Sequence, residues 1–368
     1  MKCRDIVEIL ERLAPVKLAE PWDNVGLLIG DMNQEIKNIM VTLDITSQVA
    51  QEAAERKADM IISHHPFIFK PLKRITEDDY TGSVVRMLIR NNISVYAAHT
   101  NLDIAWGGLN DALAKRFGLN KVTPLHTISS QSYKKLVVFV PKGYEDVVRE
   151  AMSREGAGWI GNYSDCTFMA SGIGTYKPLE GTNPFSGTVG KLEKAEEIRI
   201  ETIVSSEKLG KVVRSMLNAH PYEEVAYDIY PLELKGEETG IGRVGLLKEA
   251  VTLEQLIKNI KKELGISYLR YVGDKEKEIK KIAICSGSGA EYIPDCVRQK
   301  VDVYITGDIK YHDAQSAEHA GLCLIDAGHF ETEHIVGSLL ADYLSGILPE
   351  GSVHVFCSQK HRNIMKMI

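Results

Sequence analysis

Hydrophobic residues recur at two different spacings along the first third of the chain. Some segments place apolar side chains three and four positions apart, the period of a helix, whereas others are short continuous apolar runs typical of strands. The predicted strands are 36–45, 58–63 and 93–98, and the predicted helices are 2–13, 47–58 with Ser47 as N-cap, 81–91 and 110–117. Strands that alternate with helices in this way indicate parallel strands in an α/β layer fold.

The last third of the chain repeats this alternation. Apolar runs predict strands at 242–247, 279–285, 301–306, 322–327 and 354–357. Thr252 and Gln255 have the spacing of a capping box, which predicts a helix from there to about Leu264. A second α/β region therefore closes the chain.

The middle third has a different order of elements. Predicted strands at 135–141, 166–174, 197–204 and 225–232 and predicted helices at 143–154 and 206–220 follow the order β-α-β-β-α-β. That order is typical of a ferredoxin-like unit. We therefore expect an α/β core formed by 1–127 and 236–368, with an α+β module inserted at 128–235, since exposed loops tolerate such insertions.

Composition narrows the class of protein. The chain has 368 residues, of which 44% are hydrophobic and 26% charged, which excludes a disordered chain and leaves room for two or three domains. The net charge is 44 − 50 = −6, which argues against a nucleic-acid binder. No apolar run is long enough for a membrane span, and six scattered cysteines without a CxxC pair fit reduced thiols. We expect a cytoplasmic protein with no membrane contact.

Potential metal ligands follow four of the predicted strands directly. Because ligands bind at the carboxyl ends of the strands in an open parallel sheet, this position favours a common site. The four pairs are His64 and His65, His99 and Asp103, Asp308 and His312, and His329 and Glu333.

The spacing within these pairs suits metal binding, although each has an ordinary alternative. Pro66 ends the strand after His64 and His65, which allows adjacent imidazoles to converge; the alternative is one buried, hydrogen-bonded histidine. His329 and Glu333 lie four positions apart on one helix face; the alternative is an ordinary histidine–glutamate pair on a surface helix. 

The loop pair at 99–103 has several possible roles. Asp103 could bridge two cations, or it could simply cap a turn. His99 could be a ligand, an orienting group or a proton carrier. The Gly-rich turn at 285–292 could cradle a phosphate, and we interpret it as a tight turn.

Taken together, the clusters supply more ligands than one catalytic zinc requires. His64, His65, Asp103, His329 and Glu333 are natural for two cations about 3.5–4 Å apart that share a carboxylate. The clusters contain no thiolate, which disfavours a structural zinc site, and Zn, Mn, Fe, Co and Ni all stay open.

Five motifs make the chain resemble a known family, the dinuclear-metal YbgI/YqfO proteins, which are often labelled GTP cyclohydrolase type 2 homologues. The motifs are PWDNVGLLIG (21–30), ISHHPFIF (62–69), AAHTNLD (97–103), ITGDIKYHDA (305–314) and DAGHFETEH (326–334). The match covers roughly 1–125 and 240–368, and the insert resembles the PII/CutA-like module of the longer YqfO-type members.

The resemblance implies a two-lobed α/β core, a toroidal homohexamer and two divalent metals per chain, with zinc expected first. The family's metal ligands correspond to the same five residues. His99 and His312 match polar positions that line the family's site, and we expect a catalytic role for both.

Two functions remain open at this stage. The first is a metal-dependent hydrolase that activates water for attack on a small nucleotide-like or phosphoester substrate. The alternative is a non-enzymatic metal-binding or regulatory ring whose insert senses an effector, which rests on analogy of fold alone.

Overall fold

The structure is a computed structural model that describes residues 1–234 and 236–366. These residues form two compact units. Met1–Ile128 and the chain from Thr239 onward make the first, which we name the core unit, and Ser129–Glu238 makes the second, the inserted unit. 

The first part of the core unit alternates helices with short strands. Its elements are α1 (Cys3–Leu13), β1 (Gly26–Ile29), β2 (Asn38–Thr42), α2 (Ser47–Glu55), β3 (Met60–Ser63), α3 (Tyr80–Arg90), β4 (Ser94–Ala97), α4 (Thr100–Ile104), α5 (Leu109–Arg116) and β5 (Asn120–Ser130). Strands β2, β3 and β4 are parallel, and β1 pairs antiparallel with β4. The N-cap of α2 is Thr46 and not Ser47, because the Thr46 hydroxyl accepts the Val49 N–H at 3.2 Å.

The inserted unit follows the ferredoxin-like order. Its elements are β6 (Tyr133–Pro141), α6 (Glu145–Arg154), β7 (Thr167–Tyr176), β8 (Glu193–Ser205), α7 (Leu209–Ala219) and β9 (Tyr227–Leu232). The sheet is antiparallel with strand order β7-β8-β6-β9. Val138 and Ile200 of the sheet pack against Val148 of α6 and Met216 of α7, so the helices cover one face.

The second part of the core unit contains a second sheet. Its elements are β10 (Glu238–Thr252), α8 (Leu253–Leu264), β11 (Arg270–Val272), β12 (Glu278–Ser288), α9 (Ile293–Arg298), β13 (Val303–Gly307), α10 (Tyr311–His319), β14 (Cys323–Asp326), α11 (His329–Glu333), α12 (Val336–Ile347) and β15 (His354–Cys357). Strands β12, β13 and β14 are parallel. Thr252 and Gln255 form the predicted capping box of α8.

The two sheets of the core unit share one hydrophobic core. Their strand orders are β1-β4-β3-β2-β15 and β11-β14-β13-β12-β10-β5, so the last strand of the chain returns to the first sheet. Ile62 of β3, Leu113 of α5, Ile284 of β12 and Leu340 of α12 belong to one buried cluster. This packing confirms the α/β class and fixes the strand ends of one sheet against those of the other.

A buried ion pair joins the two parts of the core unit. The Arg243 guanidinium of β10 is fully buried and donates two hydrogen bonds of 2.8 Å to Asp111 of α5. It also donates to the carbonyl oxygens of Ala105 and Gly240 at 2.8 Å and lies over the Trp106 ring. A buried arginine is tolerated where its donors are satisfied in this way.

Within the described residues, no helix is long and apolar enough to cross a membrane.

Candidate metal centre

The structure brings all five predicted metal ligands into one cluster at the carboxyl ends of β3, β4 and β14. His65 Nε2 lies 3.0 Å and His329 Nε2 lies 3.1 Å from Glu333 Oε2. His64 Nε2 lies 3.7 Å from Asp103 Oδ1 and 3.8 Å from Glu333 Oε1. Glu333 is therefore the carboxylate common to three histidines that come from both parts of the core unit.

His99 joins this cluster, whereas His312 does not. One ring nitrogen each from His64, His65 and His99 lie within 4.8 Å of one another, and the same holds for donor atoms of His65, His329 and Glu333. His65 belongs to both groups. His312 lies exposed in the first turn of α10 and is absent from the described residues that line the cavity beside the cluster.

Each of the four histidines in the cluster has its Nδ1 engaged by a fixed acceptor. The Nδ1 contacts are His64 to the Ala98 carbonyl at 2.7 Å, His65 to Asp44 at 2.7 Å, His99 to Asp23 at 2.9 Å and His329 to Asp308 at 2.7 Å. Because Nδ1–H donates outward, loss of the second ring proton leaves the Nε2 lone pair directed at the cluster. This tautomer is the one that a metal ligand requires.

Sequence reasoning missed two of the three carboxylate acceptors and assigned a different role to the third. Asp308 was singled out as a potential ligand, and the structure makes it the partner of His329. Asp23 belongs to the PWDN motif, and Asp44 lies two positions after the end of β2. The predicted strand 36–45 included Asp44, so its position beyond the end of a parallel strand became visible only in the structure, where β2 ends at Thr42.

Close contact between carboxylates and imidazoles shifts the pKa values of the groups in the cluster. Burial lowers the pKa of His65, but the hydrogen bonds to Asp44 and Glu333 outweigh this effect and raise it to about 10. The hydrogen bond to Glu333 raises the pKa of His329 to about 9. Burial would raise the pKa of Glu333, yet the three histidines hold it below its usual range. Protons therefore occupy positions that cations could take.

The donor set fits a pair of divalent cations. His64 is completely buried, and its Nε2 has no hydrogen-bond partner within the described residues. A buried polar atom left unpaired is costly, and a cation would satisfy it. Imidazole and carboxylate donors suit first-row divalent metals. Cys285 lies nearby, but burial raises the pKa of its thiol, which disfavours a thiolate ligand.

The segment 285–292, predicted as a Gly-rich turn, begins inside β12 and fits closely against these carboxylates. The Ser286 hydroxyl donates to Asp103 Oδ1 at 3.1 Å. Gly287 has φ +61°, and a Cβ there would lie 2.2 Å from Glu333 Oε1. Only glycine combines this left-handed backbone with so close an approach. The turn thus helps to hold the two carboxylates in place.

A cavity of about 450 Å³ opens beside the cluster. Its walls include His99, Asp103 and Glu333 as well as the aromatic rings of Trp22 and Tyr292. A volume of this size is within the range of small-molecule sites. The cluster therefore lies where a small substrate could reach it.

The fold and the cluster together define an α/β protein with a candidate divalent-metal centre, and comparison with known proteins gives its family. A family model described as Duf34/NIF3 (NGG1p interacting factor 3) matches residues 1–364, and the chain belongs to this family.

Relatives and solved structures agree with this assignment. A protein named GTP cyclohydrolase 1 type 2 homolog from Halalkalibacterium halodurans is 46% identical over 88% of this chain and 87% of its own length. The protein of the same name from Bacillus subtilis is 45% identical over 89% of this chain and 88% of its own length. The crystal structure of a Bacillus cereus protein related to NIF3 has a TM-score of 0.85 at 40% identity, covering 100% of this chain and 99% of that one.

Proposed function

We propose that this chain is a metal-dependent hydrolase that binds two divalent cations, zinc first among the candidates, and acts on a nucleotide-like or phosphoester substrate. The observation that supports this most is the convergence of Nε2 atoms on the buried Glu333, with His64 Nε2 left unpaired. The toroidal homohexamer implied by the family resemblance stays a prediction.

The cations would be held by His64, His65, Asp103, His329 and Glu333. Bound there, two divalent cations lower the pKa of a coordinated water and polarise a phosphoryl or carbonyl oxygen. His65 lies in both donor groups, and Glu333 contacts histidines from both parts of the core unit. Glu333, with two carboxylate oxygens, could therefore serve both donor groups, whereas His65 has one ring nitrogen left by Asp44 and would bind one cation.

His99 is the group that we propose for proton transfer. Its Nδ1 contacts Asp23, whose pKa is lowered to about 2 because hydrogen bonds from His99 and Thr100 outweigh burial. Asp23 is thus ionised across the physiological range and fixes the orientation of the ring. The other ring nitrogen is free to take or give a proton in the cavity that His99 lines. His312 has no assigned step because it lies outside this wall.

The cavity also indicates which substrates fit. Its walls carry the carboxylates of Glu20, Glu291 and Asp295, and the His126 and Tyr292 rings lie 5.5 Å apart. A flat heterocycle with N–H donors would contact these groups favourably, whereas each additional phosphate would meet negative charge. We therefore expect a substrate with one phosphate or none to be preferred over a triphosphate.

The test combines metal quantification with turnover. Protein purified without chelator is assayed against nucleosides, nucleoside monophosphates, GTP and simple phosphoesters. We expect His64→Ala to lose metal and turnover together, and His99→Gln to keep its metal while turnover falls about 100-fold or more. His319→Gln, an exposed change on α10, is the control. Metal-loaded protein that turns over none of these compounds would contradict the proposal.

A further inference from the structure

The inserted unit has a cavity of its own, lined by residues other than those of the candidate metal centre. It has a volume of about 300 Å³ and is bounded by the end of β7, the segment 177–185 and the residues that follow α7. Tyr176, Phe185 and Tyr222 supply three aromatic rings to its wall. Their size and number make this cavity more than a surface irregularity, since small-molecule sites begin at about this volume.

The rings form two neighbouring pairs around Tyr222. The Phe185 and Tyr222 centroids are 5.7 Å apart with planes at 48°, and those of Tyr176 and Tyr222 are 6.4 Å apart at 52°. These tilted contacts place the three rings side by side in the wall of the cavity. The faces of aromatic rings carry partial negative charge and attract cations.

Carboxylates add to this negative potential. Glu197, Glu223 and Glu224 line the cavity against one ammonium, Lys177, so the formal charge of the wall is 1 − 3 = −2. The Tyr222 hydroxyl donates to Glu197 Oε1 at 3.2 Å, which places a carboxylate at the hydroxyl end of one of these rings. Burial and this neighbour raise the pKa of Tyr222, so its hydroxyl stays protonated.

We propose that this cavity binds a small organic cation, an amine or a quaternary ammonium whose charged group contacts the aromatic faces and the Glu197 carboxylate. An anionic ligand would meet a wall of net negative charge. A neutral apolar ligand would leave the negative charge of the carboxylates uncompensated. The combination of π faces and carboxylates therefore favours a cation over both.

The wall is held in place by hydrogen bonds, which reduces the cost of binding. Both oxygens of Glu223 accept the Asn183 N–H, at 3.0 and 3.2 Å, and so fasten the segment that carries Phe185. His220 Nε2–H donates to the Phe139 carbonyl at 3.0 Å, and its Nδ1 accepts the Tyr222 N–H at 3.1 Å. Tyr222 is therefore fixed from its backbone as well as from its hydroxyl.

A glycine makes room for the charged wall. A Cβ at Gly174 of β7 would lie 2.1 Å from Glu197 Oε2, and both residues line the cavity. Any larger residue at 174 would displace the carboxylate. The space that Gly174 leaves is thus filled by the carboxylate that accepts the Tyr222 hydroxyl hydrogen bond.

The first test asks whether positive charge is what the full-length protein recognises. Choline, tetramethylammonium and spermidine are titrated and followed by calorimetry and ligand-observed NMR, with 3,3-dimethylbutan-1-ol as the neutral isostere of choline. We expect saturable binding of at least one cation, with the neutral isostere at least about fivefold weaker than choline. Equal binding of the isostere and choline, or no binding of any cation up to about 20 mM, would overturn the proposal.

The second test locates the binding. Glu197→Gln keeps the size of the side chain and its acceptor for Tyr222 but removes the charge, and we expect about fivefold weaker cation binding or more. Phe185→Leu removes one π face at a side chain that is 49% exposed, so folding is not at risk. Glu196→Gln, an exposed neighbour paired with Lys142, is the matched control. Unchanged binding in both variants, or an equal loss in the control, would refute the assignment.

Discussion

The core unit and the inserted unit present polar chemistry in opposite ways. In the core unit, residues beyond the ends of parallel strands converge, and the result is a buried cluster of imidazoles and carboxylates around Glu333. In the inserted unit, an antiparallel sheet covered on one face by helices forms an aromatic wall with partly exposed carboxylates. Parallel strands gather loops from distant parts of the chain at one edge, whereas an antiparallel sheet builds its sites from its own face and neighbouring turns.

The largest effect is expected from Glu333→Gln, because this carboxylate contacts His64, His65 and His329. We expect metal content, measured by mass spectrometry of the purified protein, to fall to background. Glu331→Gln is the matched control on the same helix, since Glu331 Oε1 accepts a hydrogen bond from Asn363 and lies outside both donor groups. Full metal content in Glu333→Gln would remove this residue from the centre.

The second prediction concerns pH. In the metal-free protein the pKa of His329 is raised to about 9 and that of His65 to about 10, so both are protonated at neutral pH. Their protons must leave before Nε2 can bind a cation, so zinc affinity should increase as the pH rises, by up to about 100-fold per unit if about two protons are released. Calorimetry at pH 7 in buffers of different ionisation enthalpy counts these protons, and a count near zero would contradict the pKa assignments.

A smaller effect is expected from Asp44→Asn. Asp44 orients His65 through the 2.7 Å contact at Nδ1 without itself joining the donor groups. Loss of such an orienting carboxylate typically lowers metal affinity by about 10- to 100-fold. Competition with a chromogenic chelator measures this change. Glu196→Gln in the inserted unit serves as the control, and an equal change in both variants would show that the effect is one of net charge alone.

Much of the fold could be predicted because the spacing of apolar residues reflects which positions are buried. The parallel strands β3, β13 and β14 are buried throughout, β2 is buried at every position except Asn38, and all four stand out as apolar runs. The strand β5 was missed, because most of its residues are exposed and Pro124 interrupts it. Thr46 and Ser47 are adjacent hydroxyl residues, and sequence alone does not decide which one caps α2.

The candidate site likewise contains residues that could be identified from the sequence and residues that could not. Residues such as His64 and His329 could be singled out because they follow apolar strands directly. The pairing of Asp23 with His99 joins residues that are 76 positions apart, and this contact depends on how His99, at the start of α4, packs against the N-terminal segment. Hydrophobic periodicity carries no information about contacts between residues so far apart in the sequence. The structure was therefore needed to identify Asp23 as the acceptor that orients the His99 ring.

The insertion separates the donors into two groups along the chain. His64, His65 and Asp103 precede it, and His329 and Glu333 follow it near the end of the sequence. During synthesis the ribosome therefore releases the first group long before the second, since chains emerge from their N-terminus. The candidate centre therefore cannot be completed until residues 329–333 have been synthesised and have packed against the first part of the core unit.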